Sequence, residues 1–136
     1  MRVVLDTNIL FSALIKDSTT RKLILEYEGA FLFPEYIFGE AKKHKDELFR
    51  KSGMDAKGFN KLLALILGKV IIVPSELLEP YRQKAYAIVK DIDVNDVLFV
   101  ACALAYEDSI IWSNDSALKK QSRVKVITTA EARELL

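Results

Sequence analysis

Val3-Val4-Leu5-Asp6-Thr7-Asn8 sets a short apolar, β-branched run directly against a polar one, and Ile9 to Glu28 follows with helical spacing. Ser18 or Thr19 offers an internal cap within that helical region. A strand that ends on a carboxylate and turns at once into helix is therefore the opening unit, and the same alternation recurs along the chain. Gly29 closes the first helical region, Ala30-Phe31-Leu32-Phe33 reads as a second strand, and Pro34 opens a helix to about Lys51 with the apolar stripe Ile37, Ala41, His44 and Leu48. Asp55 caps a helix carrying Phe59, Leu62, Leu63, Ile66 and Leu67, which Gly68 stops before the strand Val70-Ile71-Ile72-Val73. Leu77 to Lys90 is helix, with Pro80 in its first turn or marking a slightly later start. Asp91 to Asn95 is a polar break, Asp96 to Tyr106 an apolar helix, and Ser109-Ile110-Ile111-Trp112 a fourth strand. Val124 to Ile127 and Thr129 to Leu136 supply a last strand and helix.

Strands separated by helices throughout predict a three-layer α/β/α sandwich with a mostly parallel sheet of about five strands and helices on both faces. In such sheets ligands bind beyond the carboxyl ends of the strands, so the polar residues just after each strand are where function is sought.

The composition fits that reading. With 136 residues, 51% hydrophobic and 29% charged, the chain is expected to form one compact domain over residues 1–136 around a single core. The lone Cys102 has no partner for a disulfide and no neighbours at zinc-site spacing, which points to a reducing, cytoplasmic setting. The longest apolar stretch without a charge, Val97 to Tyr106, falls short of the ~20 residues a membrane helix needs, and no signal-peptide pattern follows Met1-Arg2. The net charge of +1 hides an asymmetry: from Lys42 to Lys69 eight basic residues face three acids, a local +5, leaving −4 for the remainder.

Asp6 follows the first strand and Asp115 the fourth, while Asp96 begins the helix that feeds the fourth strand, so all three are expected at one sheet edge. Glu40, about two turns into the helix after the second strand, borders the Ile37, Ala41 and His44 stripe and is expected to look inward. Clustered carboxylates repel unless a cation neutralises them, and an all-oxygen ligand set suits Mg²⁺ or Mn²⁺. One or two such ions activate water and stabilise charge in the hydrolysis of phosphate esters. Taken singly, Asp6, Asp96 and Asp115 read equally well as helix caps and Glu40 as a solvated helix residue; their convergence is the argument for a site. His44, one turn after Glu40, is read as a packing residue.

Val3-Val4-Leu5-Asp6-Thr7-Asn8-Ile9-Leu10, Glu40, Asp93-Val94-Asn95-Asp96 with the helix after it, and Ile111-Trp112-Ser113-Asn114-Asp115 together resemble the PIN-domain ribonucleases, the family of the VapC toxins. The resemblance covers essentially the whole chain and implies a Rossmann-like parallel sheet. It implies that Asp6, Glu40, Asp96 and Asp115 form an acidic quartet for Mg²⁺ or Mn²⁺, with Asp93 as an outer ligand. Asn8 and Ser113 match positions that steady the first aspartate by hydrogen bonds. The implied activity is metal-dependent endonucleolytic cleavage of RNA, by in-line attack of an activated water, leaving a 5′-phosphate and a 3′-hydroxyl. A toxin-antitoxin role, an antitoxin partner and a homodimer are further implications.

Lys42, Lys43, Lys45, Arg50 and Lys51, within the +5 segment, are candidates for RNA backbone contacts, and they read equally as solvated helix lysines. Tyr36 and Tyr81 are candidates for base stacking, whereas Trp112 is better read as core. The apolar face around Leu62 and Leu63 is core or a partner interface. The competing readings are a catalytically silent PIN-like module that binds RNA or a protein, and an aspartyl-phosphate enzyme or receiver domain. The last is disfavoured because Asn8 and Thr128 stand where those families need Asp and Lys.

Overall fold

The computed structural model describes residues 1–16 and 18–136. Among these, strands β1 (Arg2–Leu5), β2 (Phe31–Pro34), β3 (Val70–Val73), β4 (Ser109–Trp112) and β5 (Val126–Ile127) form one sheet in the order β3-β2-β1-β4-β5. Every neighbouring pair is parallel, with Val3 between Phe31 and Ile110 and Leu5 beside Trp112. A parallel sheet covered on both faces needs strands that are apolar without alternation, and the Val3-Val4-Leu5 and Ile110-Ile111-Trp112 runs, all buried, meet that need.

The helices are α1 (Thr7–Ile15), α2 (Thr19–Glu26), α3 (Glu35–Ala41), α4 (Lys45–Ser52), α5 (Ala56–Leu67), α6 (Ser75–Leu78), α7 (Arg82–Val89), α8 (Val97–Ala105) and α9 (Thr129–Leu135). Helices α1, α2, α4 and α5 pack on one another, with α9 against α2; α6, α7 and α8 form the other group, and α8 lies against β1, β2 and β4. The β3-to-β4 crossover thus carries the chain to the opposite face. Strand order reverses between β1 and β4, which creates a crevice at their carboxyl ends.

The core joins both faces through the sheet. Trp112, Phe31, Phe33 and Phe59 are its largest fully buried side chains; Phe31 and Trp112 rings lie 6.0 Å apart, and Phe33 meets Phe99 of α8 edge-on at 5.9 Å. Cys102 is buried in α8, which pushes its thiol up to about 12 and makes it a small hydrophobe.

Local chemistry sets the helix ends. The Asp55 carboxylate accepts from the Gly58 N–H at 2.7 Å at the start of α5, and the Ser18 hydroxyl accepts from the Arg21 N–H at the start of α2. The Arg21 guanidinium donates to the Ala13 carbonyl at 2.7 Å and to that of Leu14, satisfying the last turn of α1. The expected helical region from Ile9 to Glu28 is two helices with Ser18 capping the second; Asp17, within it, lies outside the described residues.

Pro34 ends β2 and is the N-cap of α3, so a helix begins there as expected, and two other expectations change. The helix expected from there to Lys51 is interrupted by a 3₁₀ turn at Lys42–His44, whose tighter winding rotates His44 out of the Ile37 and Leu48 stripe, so its side chain is 54% exposed. The helix expected over Leu77–Lys90 is split by a 3₁₀ turn at Glu79–Tyr81, because Pro80 has no N–H to give to a continuous α-helix.

Candidate metal-binding active site

Strands β1 and β4 are neighbours, so the residues that follow them meet. The Ser113 hydroxyl, buried directly after β4, donates to Asp6 Oδ2 at 2.6 Å directly after β1. It also accepts from the Asp115 N–H at 3.1 Å, so one hydroxyl holds both strand ends in register. Asp6, Asp93, Asp96 and Asp115 line one cleft of about 580 Å³, together with Asn95 and Asn114.

Each of three carboxylates is aimed by the backbone beside it. Asp6 Oδ1 accepts from the Asn8 N–H at 3.3 Å, Asp93 Oδ1 from the Asn95 N–H at 2.9 Å, and Asp115 Oδ1 from the Ala117 N–H at 3.0 Å. These are caps of α1 and of two 3₁₀ turns, so the cap reading and the site reading hold for the same residues. Asp96 is different. It precedes α8 but makes no capping bond, is 7% exposed, and its Oδ2 is buried without a hydrogen-bond partner among the described residues. Burial first, then the charges of Asp6, Asp93 and Asp115, push its carboxyl up to about 7.

Carboxylate oxygens of Asp93, Asp96 and Asp115 lie within 4.8 Å of one another. A bare cluster of this kind costs free energy through repulsion and desolvation, and a hard divalent cation relieves both while supplying the partner that Asp96 Oδ2 lacks. The donor set and the orphaned oxygen therefore fit such an ion. Asp93, an outer ligand by resemblance, stands in this tightest group, while Asp6 is turned toward Ser113.

Glu40 is not among the residues lining the cleft, and its expected inward orientation is corrected. Its side chain is 51% exposed and its carboxylate receives Lys43 Nζ at 3.2 Å on both oxygens. The buried side of α3 is centred on Ile37, Phe38 and Ala41, and Glu40 falls outside that arc on the helical wheel. Ile37, one turn earlier, does line the cleft. Asn8 bonds to Asp6 through its backbone N–H and itself lines the cleft.

Of the basic candidates, Lys43 pairs with Glu40, Lys51 pairs with Glu47 at 2.8 Å, and Lys42 Nζ sits 5.2 Å from the Phe38 ring centre. Lys45 and Arg50 are exposed. Tyr36 is exposed, Tyr81 half-buried, and Trp112 is in the core.

One residue at the site escaped the sequence reading. Thr129 Oγ1 accepts from Trp112 Nε1 at 3.1 Å and from Asn114 Nδ2 at 3.0 Å, and the Asn114 Oδ1 in turn accepts from the Thr129 N–H at 2.8 Å. The segment between Ser113 and Asp115 is thereby tied to the start of α9. The signal was the doubled threonine after β5: Thr128 is consumed by a capping box with Glu131, which leaves Thr129 free to bond elsewhere.

Comparison with known proteins agrees with this geometry. A search of curated proteins finds no match. Among solved structures, the crystal structure of VapBC2 from Rickettsia felis bound to a DNA fragment from their promoter matches at a TM-score of 0.68 with 17% identity, covering 94% of this chain and 98% of that one. At that identity the likeness is one of fold. The PIN domain family matches residues 4–135, which spans the end of β1, the other four strands and every carboxylate above, and the chain belongs to that family.

Proposed function

We propose that the protein is an endoribonuclease that depends on Mg²⁺ or Mn²⁺. The observation that carries this reading is the buried Asp96 oxygen, unpartnered among the described residues, on a carboxylate that clusters with those of Asp93 and Asp115 at the crevice of β1 and β4. Asp93, Asp96 and Asp115 would hold the cation, with Asp6 beside them, oriented by Ser113. When bound, one or two such ions supply Lewis-acid stabilisation of the phosphate and a water activated for attack. The residues of the chain do the rest: the caps fix carboxylate directions, Ser113 sets Asp6 relative to Asp115, and Thr129 holds Asn114 against α9. Glu40 joins only by leaving Lys43, one turn beyond the cleft-lining Ile37.

Lys42, Lys43, Lys45, Arg50 and Lys51 contribute backbone contacts to RNA in this reading, adding a salt-dependent share of the affinity. A toxin role with an antitoxin partner, a homodimer and a cytoplasmic location complete it. Support comes from the resemblance to VapC toxins and from the fold likeness to VapBC2; among the described residues no helix is long and apolar enough to cross a membrane.

The test is cleavage of single-stranded RNA by purified protein with Mn²⁺ or Mg²⁺, chelator and Asp96→Asn as controls. Cleavage lost in both controls supports the reading, and cleavage surviving both overturns it. RNA binding with neither cleavage nor metal affinity favours the silent binding module.

A further inference from the structure

Beside the carboxylate cleft lies a second, larger one of about 930 Å³, and Asn95 lines both. Its walls come from α3, α6, α7 and the turn that carries Asp93 and Asp96. Two aromatic rings on it are half open to solvent: Tyr36 is 54% exposed and Tyr86 is 52% exposed. Around them stand hydrogen-bonding groups, Gln83, Ser75, Asn95 and the Arg82 guanidinium, which pairs at 3.4 Å with Glu79 of the same lining. The walls are braced against each other, because the Glu35 carboxylate at the start of α3 accepts from the Ser75 N–H of α6 at 3.1 Å.

Two half-exposed tyrosines on one cleft joined to a carboxylate site offer aromatic faces to a ligand. From Asp96, the path past Asn95 leads into this cleft. Aromatic faces there stack on unpaired bases of any identity, and side-chain amides and a guanidinium donate hydrogen bonds to base edges or phosphates. We propose that this cleft is a nucleobase subsite for single-stranded RNA, in which Tyr36 and Tyr86 stack bases next to the scissile phosphate and Arg82, Gln83 and Asn95 hydrogen-bond to them. The proposal rests on the ribonuclease reading and adds to it the place where bases of the substrate are held, in the cleft of Tyr36 and Tyr86. Tyr36 and Tyr86 are positioning residues that do not touch the reacting phosphate.

The experiment measures binding of a fluorescein-labelled single-stranded RNA of about ten nucleotides by anisotropy, with Ca²⁺ present, in an Asp96→Glu background that retains the carboxylate charge. Tyr36→Ala and Tyr86→Ala are each expected to weaken binding by about 5- to 100-fold, and Tyr86→Phe to restore it, since the stacking face is retained. Mn²⁺ affinity, read by calorimetric titration in the wild-type background, is expected to stay unchanged in both alanine variants, since neither ring lines the carboxylate cleft. RNA affinity unchanged by both substitutions overturns the subsite while leaving the ribonuclease reading intact. Conversion of a wild-type dimer to monomers by Tyr86→Ala, seen by light scattering, with no loss of RNA affinity per site, also overturns it and assigns the cleft to contact between copies. Failure of the wild-type protein to bind or cleave any RNA sinks the ribonuclease reading itself.

Discussion

The hydroxyl of Ser113 and the carboxylate of Asp6 are 107 residues apart in the chain and 2.6 Å apart in space, joined by a bond from the end of β4 to the end of β1. Parallel pairing places Leu5 beside Trp112, so the next residue on each strand emerges at the same level of the sheet. The bond is charge-assisted and its donor is 1% exposed, so it is among the stronger interactions at the site.

Ser113→Ala is therefore expected to cost about 1–3 kcal/mol in thermal or urea unfolding and to weaken Mn²⁺ binding by about tenfold or more, because Asp6 loses its orienting donor. Ser113→Thr, which keeps the hydroxyl, is expected to retain most of both. Calorimetric titration with Mn²⁺ beside thermal melts checks it; equal metal affinity in Ser113→Ala and wild type would remove the orienting role.

The pH dependence follows from Asp96. Its carboxyl is raised from an ordinary 3.8 to about 7 by burial and then by the neighbouring carboxylates, so between those values the folded protein holds a proton that the unfolded chain has released. Its contribution to stability is thus fully present below the lower value and is lost as pH rises through the upper one. The metal-free protein is expected to melt progressively lower from about pH 4 to pH 8, and Mn²⁺ at about pH 8 to restore the melting temperature. Asp96→Asn, which removes the buried charge, is expected to melt about 5 °C above wild type in chelator at about pH 8 and close to it at about pH 4. A difference between the two proteins that does not change with pH would refute this.

Asp93 and Glu40 exchange the positions the resemblance implies for them. Asp93 shares the tight group with Asp96 and Asp115, whereas Glu40 is exposed and neutralised by Lys43. Asp93→Asn is expected to weaken Mn²⁺ binding by about 10- to 100-fold, and Glu40→Gln by less than about tenfold. Parallel titrations decide the order, and a greater loss in Glu40→Gln would show that Glu40 turns inward when the ion binds.

Thr129→Val removes the acceptor used by the indole of fully buried Trp112 and by Asn114. A buried donor left without a partner costs about 1–3 kcal/mol, so a lower melting temperature is expected, whereas Thr129→Ser is expected to stay near wild type. Trp112 is the only tryptophan in the sequence, so its fluorescence reports the loss directly.

Much of the fold was legible because its signals are local. Val70–Val73 and Ser109–Trp112 are strands at the residues expected, and α5 runs between Asp55 and Gly68 because a side-chain cap and a terminating glycine act within one turn. The strand-to-helix alternation was enough to place Asp6, Asp96 and Asp115 at one sheet edge, since in a parallel sheet every carboxyl end points the same way.

What depended on tertiary structure is whatever rests on contacts between distant segments or on the exact phase of a helix. Sheet order β3-β2-β1-β4-β5 decides that Ser113 meets Asp6, and no local pattern encodes which strands become neighbours. Similar limits apply to Thr129, whose partners lie 15 and 17 residues away. Helical phase is the more delicate case: the 3₁₀ turn at Lys42–His44 and the exact buried arc of α3 turned His44 and Glu40 to solvent. Residue types and their order along the chain set the strands, the caps and the stock of carboxylates. Which of those carboxylates share a buried space, and which one is left there without a partner, was settled by packing, because burial and repulsion belong to the assembled sheet edge and to no single segment.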